Sequence, residues 1–105
     1  MIVRALEIPA DHPAFAGHFP GMPILPGAVL LDEALYVIER DLRLDLTQWR
    51  LSAAKFLERV GPGDALSLEH AAARDDTVRF TVRVAGRPAL TATLTRVAAG
   101  ACDDA

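Results

Sequence analysis

His18 stands inside the run GHFPG, Gly17 to Gly21, on a backbone with little freedom. Fixing that backbone fixes where the imidazole points, and a general base needs geometry before it needs a tuned pKa. A histidine held there can equally do no more than hydrogen-bond a loop carbonyl, and the pattern alone favours that plainer role. Asp32 and Glu33 follow in AVLLDEAL, Ala28 to Leu35. Acids early in a helix suit its dipole, which is explanation enough for Glu33. If the helix is wrapped by sheet, one of the two acids has poor access to water. An acid in apolar surroundings keeps its proton nearer neutrality and can act as a general acid, and Asp32 is the candidate. Gly27 falls where the helix starts, so its N–H lacks an intrahelical acceptor and can face a developing negative charge. It can also serve simply to relieve crowding. A base, an acid and an oxyanion donor suit proton removal next to a carbonyl with protonation of a leaving group. Reversible loss of water from a 3-hydroxyacyl thioester is one such reaction.

The elements that must position these groups are one helix and a set of strands. The spacing predicts a helix from about Pro26 to about Leu42, with Pro26 tolerated in the first turn. Ala28, Leu31, Leu35, Ile38 and Leu42 form its apolar stripe, widened by Val29, Leu30, Ala34 and Val37. The first half is apolar nearly all round, which predicts burial on most sides. A strand is expected over Ile2–Ile8, ending at Pro9, and the Gly/Pro segment His12–Gly27 follows it. Arg50–Leu57 reads as a weak strand with mixed faces. Ala65–Ala73 alternates, with Leu66, Leu68 and His70 on one face. Thr77–Val84 and Ala89–Val97 alternate cleanly, and turn signals separate these runs. The expected architecture is α+β, a helix wrapped by a curled antiparallel sheet.

Composition bounds the function. The chain has 105 residues, 51% of them hydrophobic and 24% charged, which fits one globular domain over residues 1–97. Residues 98–105 lack periodicity and read as a flexible tail. The formal net charge of -3 argues against bulk nucleic-acid binding. No apolar run is as long as a membrane span, and the N-terminus does not read as a secretory signal. Cys102 is the one cysteine, so neither an internal disulfide nor a cysteine metal cluster is expected. A reducing cytoplasm is the simplest home.

The stretch GHFPGMPILPGAVLLDEAL, Gly17 to Leu35, resembles the helix-entry motif of the β-hydroxyacyl-[acyl-carrier-protein] dehydratases of the FabA/FabZ type. That pattern is His-Phe-Pro-Gly, then Pro-Gly, then an acid fourteen residues beyond the histidine, the separation of His18 and Asp32. KFLERVGPGD, Lys55 to Asp64, and VAGRPALTATLTRV, Val84 to Val97, are similar to later segments of the same family. The resemblance implies a hotdog fold of about five strands and a dimer with active sites at the subunit interface. It implies His18 as general base and Asp32 as general acid. Gly27, with Phe19 and Pro26 around it, would bind the thioester carbonyl. It implies no cofactor and no metal. The partner it implies is acyl-carrier protein, whose acidic surface would dock on basic residues near the pocket mouth. Lys55 and Arg59 are the candidates, whereas Arg79 and Arg83 read better as a solvated sheet face.

Three departures from the family pattern qualify the resemblance. The acid is aspartate, as in the isomerase-type branch, where plain dehydratases carry glutamate, and Glu33 lies beside it. Tyr36 occupies a position that is often glutamine. The chain starts at the first strand, which suggests a specialised member such as those of aryl-polyene pigment pathways. Two other readings stay open: a hotdog thioesterase, and a non-catalytic hotdog subunit supporting a paired dehydratase.

Overall fold

The structure is a computed structural model that describes residues 1–13, 24–71 and 74–97. Its elements run β1 (Ile2–Leu6), α1 (Gly27–Leu42), β2 (Trp49–Phe56), β3 (Leu66–His70), β4 (Thr77–Val84) and β5 (Arg87–Arg96). The strands form one antiparallel sheet in the order β1-β3-β4-β5-β2. β3, β4 and β5 are the expected meander. β1 adds to one side of it and β2 to the other, so β1 and β2 are the edges.

Alternation decides the core. Leu66, Leu68 and His70 of β3 face inward, with Val78, Phe80, Val82 and Val84 of β4 and Leu90, Ala92 and Leu94 of β5. Leu30, Ala34 and Ile38 of α1 pack on them. This one-helix, five-strand arrangement is the α+β architecture expected from the sequence.

Several boundaries and faces differ from expectation. β1 stops at Leu6 rather than Ile8, because its pairing with β3 runs out at Leu6 opposite Leu66. The third strand is likewise shorter than the Ala65–Ala73 alternation. Pro26 is the N-cap of α1, not part of its first turn, and its carbonyl accepts the N–H groups of Val29 and Leu30 at 3.0 and 3.2 Å. The fully buried line of the helix is Leu30–Ala34–Ile38, and Ala28, expected at the centre of the stripe, is exposed. One sheet covers one side of a helix. The Ala28–Asp32–Tyr36 line therefore faces away from it, and the expected burial on most sides is absent in the single chain.

The mixed faces of β2 have a structural cause. Ser52 pairs with Thr93, but Lys55 pairs with Thr91, so Ala53 and Ala54 both stand opposite Ala92. This is a β-bulge, with Ala53 in the left-handed region at φ 53. One extra residue inverts the alternation. Trp49 and Leu51 face the core before the bulge and Phe56 faces it after, while Lys55 turns outward.

At the far end of the helix, Asp41 Oδ2 accepts from Arg4 Nε at 2.9 Å and from His70 Nε2 at 3.2 Å. The contact assigns the proton to Nε2. Nδ1 of His70 is buried and makes no hydrogen bond. Asp41 thus ties the helix end to β1 and β3. Burial alone would raise its pKa, but the hydrogen bonds from His70 and Arg4 and the Arg4 charge outweigh it. They hold the carboxyl below its ordinary 3.8.

Two predictions follow from these features. Ala53→Gly should stabilise the fold by about 1 kcal/mol in denaturant unfolding, by relieving a left-handed alanine. Ala54→Gly, made in parallel, should not. For Asp41, the unfolded chain holds the proton more tightly than the folded one. Its contribution is therefore fully present above pH 3.8 and fades as pH falls through the lower folded value. Asp41→Asn should flatten that acid limb of the stability curve. Asp41→Ala, which strands a buried imidazole N–H, should cost about 1–3 kcal/mol at neutral pH.

Candidate functional site

A cleft of ≈ 320 Å³ opens at the start of α1. Ile24, Leu25, Pro26, Gly27 and Leu30 form one wall, and Phe56, Glu58, Arg59 and Val60 the other. The Leu25 N–H donates to the Val60 carbonyl at 2.8 Å, which joins the two walls. The lining is mostly apolar, and such a surface suits a hydrocarbon chain. Gly27 is the first residue of the helix, where no intrahelical acceptor exists for its N–H. The expected oxyanion donor and its neighbour Pro26 are thus placed together at an apolar cleft. His18 and Phe19 lie outside the described residues.

Phe56 also lines this cleft, although strand alternation does not mark it as inward-facing. Its ring lies against Gly27 so closely that a Cβ there would sit 2.8 Å from both Cδ1 and Cε1. The side chain is nonetheless 52% exposed. Only the bulge brings it to this face. The sequence signal was the loss of alternation in β2, which locates an irregularity without saying which residue it turns inward.

The acids are separated by their angle around the helix. Asp32 is exposed and Glu33 half-buried. The expectation that one of them is shut from water is not met for Asp32 in the single chain, because the sheet covers the opposite side. Tyr36, one turn beyond Asp32 on the same line, is 59% exposed, with the Arg40 guanidinium 5.4 Å from its ring centroid. Asp32 and Tyr36 do not line the Gly27 cleft.

The two basic candidates are also separated. Arg59 lines the cleft, whereas Lys55 is on the outer face of the sheet. Among the described residues no group of His, Cys, Asp and Glu is arranged to hold a metal ion. No helix among them is long and apolar enough to cross a membrane.

Comparisons with known proteins agree on the kind of protein this resembles. The ApeI-like family, described as ApeI dehydratase, matches residues 1–93. A 3-hydroxyacyl-[acyl-carrier-protein] dehydratase FabZ from Levilactobacillus brevis is 39% identical over 101 residues, covering 85% of this chain and 68% of that protein. The FabZ of Chlamydia trachomatis serovar L2 is 36% identical over 78 residues, 65% of this chain. This chain spans about half the length of that curated relative, 50%. Among solved structures, the dehydratase heterocomplex ApeI:P from Xenorhabdus doucetiae superposes with a TM-score of 0.70 at 21% identity. It covers 89% of this chain and 83% of its own. That likeness identifies the fold as the hotdog.

The contact between Gly27 and Phe56 is directly testable. Alanine at the first helical position would ordinarily help the helix. Here Gly27→Ala must push the Phe56 ring aside, and the expected result is a loss of stability. In a Phe56→Ala background the same change should be neutral or stabilising. A double-mutant cycle by denaturant unfolding should give a coupling of about 0.5–3 kcal/mol.

Proposed function

The chain belongs to the ApeI-like family of dehydratases, and we propose from that premise that it removes water reversibly from a 3-hydroxyacyl thioester held on acyl-carrier protein. His18 takes the proton from C2. The C3–O bond breaks as Asp32 donates a proton to the departing hydroxyl. Water leaves, and the trans C2=C3 double bond remains. The Gly27 N–H polarises the thioester carbonyl, so charge that develops on oxygen meets the positive end of the helix.

The observation that carries this reading is the placement of Gly27 as the first residue of α1, at the mouth of an apolar cleft. An acyl thioester needs an oxyanion donor next to a surface that accepts hydrocarbon. The exposure of Asp32 bears on how the site is completed. A general acid works in a site shielded from bulk water, and Asp32 is open to water in the single chain. A second hotdog subunit covering the Ala28–Asp32–Tyr36 line would supply the missing desolvation. That subunit is a copy of this chain or a related one. Exposed Phe56 and Leu57 at the end of edge strand β2 offer apolar area for the same contact. Such an enzyme would work in the cytoplasm, in a fatty-acid-type or pigment-type synthesis.

The assay follows enoyl absorbance and free thiol together, on 3-hydroxyacyl and 2-enoyl thioesters. Interconversion without thiol release is the expected result. Release of thiol would replace the proposal with a thioesterase. Failure of both, on several chain lengths and on carrier protein, would leave a supporting subunit that needs a paired dehydratase. His18→Ala should lower the rate by about 10²–10⁴-fold with the oligomer intact. Asp32→Asn should do the same and Glu33→Gln should not. The reverse order would move the acid to Glu33.

A further inference from the structure

Three features of the structure meet at Phe56. The β2 bulge, with Ala53 held at φ 53, turns its ring to the helix side of the sheet, and bulges beside functional sites serve to re-aim a side chain. The ring lines the apolar cleft. It also lies on Gly27 so closely that one added carbon there would be 2.8 Å from Cδ1 and Cε1 and 3.2 Å from Cζ. Carbon atoms pack at about 3.5–4.0 Å. Beside the first residue of α1 there is thus no room for one more methyl group. Phe56 stays half exposed, so its ring has surface left to meet a bound chain. Its backbone is held in place. Phe56 pairs with Leu90, and the next residue, Leu57, donates its N–H to the Ala89 carbonyl at 2.8 Å.

We infer that Phe56 is a specificity-determining residue, whose ring admits acyl thioesters unbranched at C2 and turns away those that carry a C2 methyl. The inference rests on the dehydratase reading above, in which the Gly27 N–H holds the thioester carbonyl. A carbonyl oxygen bound there is about 2.9 Å from the nitrogen. Its acyl side runs into the cleft, so C2 is the carbon next to the ring. The later carbons have the aliphatic part of the lining, Ile24, Leu25, Leu30 and Val60. A C2 methyl needs the space that the ring fills. Discrimination of this kind works by a clash built against the wrong substrate. A 2-methyl-3-hydroxyacyl thioester still has one C2 hydrogen to lose, so its rejection is a matter of fit and not of missing chemistry.

The test compares a 3-hydroxyacyl thioester with both C2 epimers of its 2-methyl counterpart at one chain length. The wild-type protein should favour the unbranched substrate in kcat/KM by at least about tenfold, the discrimination expected for one methyl group in a shaped apolar pocket. Phe56→Leu should lower that ratio and Phe56→Ala should nearly abolish it, chiefly by raising kcat/KM for one branched epimer. Ile24→Ala, which removes aliphatic lining and leaves the ring, should slow both substrates and keep the ratio. Folding and oligomeric state are followed alongside, and Phe56→Leu carries the test if alanine disturbs either. Equal handling of both substrates by the wild type, a ratio unmoved by the Phe56 variants, or a fall of the same size in Ile24→Ala would overturn the inference. If neither substrate loses water, the dehydratase reading fails by itself. Selectivity is then read from NMR titration with the corresponding acyl amides of pantetheine, which keep the carbonyl and resist hydrolysis. Tighter binding of the unbranched amide, levelled in the Phe56 variants, upholds the role of the ring. Equal binding, or none, overturns it.

Discussion

The parity of β2 decides which side chains meet the start of α1. Without the bulge, Lys55 would continue the Trp49–Leu51 face and bring an ammonium group over the apolar cleft, while Phe56 would point outward. Ala53 and Ala54 together opposite Ala92 reverse this. The left-handed backbone at Ala53 has a cost of about 1–2 kcal/mol for an L-residue, which the pairing on either side must offset. The same irregularity therefore gives the cleft its aromatic wall and gives the outer face its lysine. Gly27 is part of the same constraint, since only a residue without Cβ fits under the ring where it lies.

The helix is the second constraint, because a single sheet can cover only one side of it. Leu30, Ala34 and Ile38 use the covered side completely. Chemistry placed on the other side is in water until something else arrives. Asp32 is on that open side. The exposed residues around it follow the same logic. Tyr36 is exposed one turn along the same line, with the Arg40 guanidinium near its ring.

Much of this could be read from the residues. The clean alternation of Thr77–Val84 located β4 with its bounds. Leu90, Ala92 and Leu94 of β5 are buried as its threonine pattern marked, but the strand starts at Arg87 rather than Ala89, and Ala89, on the threonine parity, is buried too. Turn signals separated the strands correctly. Periodicity located α1 but placed its buried line about one position off, because so many of its residues are apolar that several stripes fit equally well. Only the facing sheet selects Leu30–Ala34–Ile38. The bulge was legible as a fault and not as a feature. Adding one residue leaves composition unchanged and removes the alternation on which strand reading depends. The separation of Lys55 from Arg59 was illegible for the same reason. His18 and Phe19 fall outside the described residues, so their role continues to stand on the motif.

The contact at the end of the helix bears on the choice between the two acids at its beginning. Asp41 is drawn inward by His70 and Arg4, which fixes the rotation of α1 about its axis. At about 100° per residue, nine residues back from Asp41 is about half a turn away, and that residue is Asp32. Glu33, eight residues back, lies at about 80° to Asp41, on the flank of the helix next to the sheet. The half-buried state of Glu33 and the exposure of Asp32 agree with these angles. A subunit that approaches from outside the sheet layer meets Asp32 first. The ion pair at one end of the helix thus sets the two acids at the other end apart, with Glu33 on the flank beside the sheet and Asp32 on the side away from it.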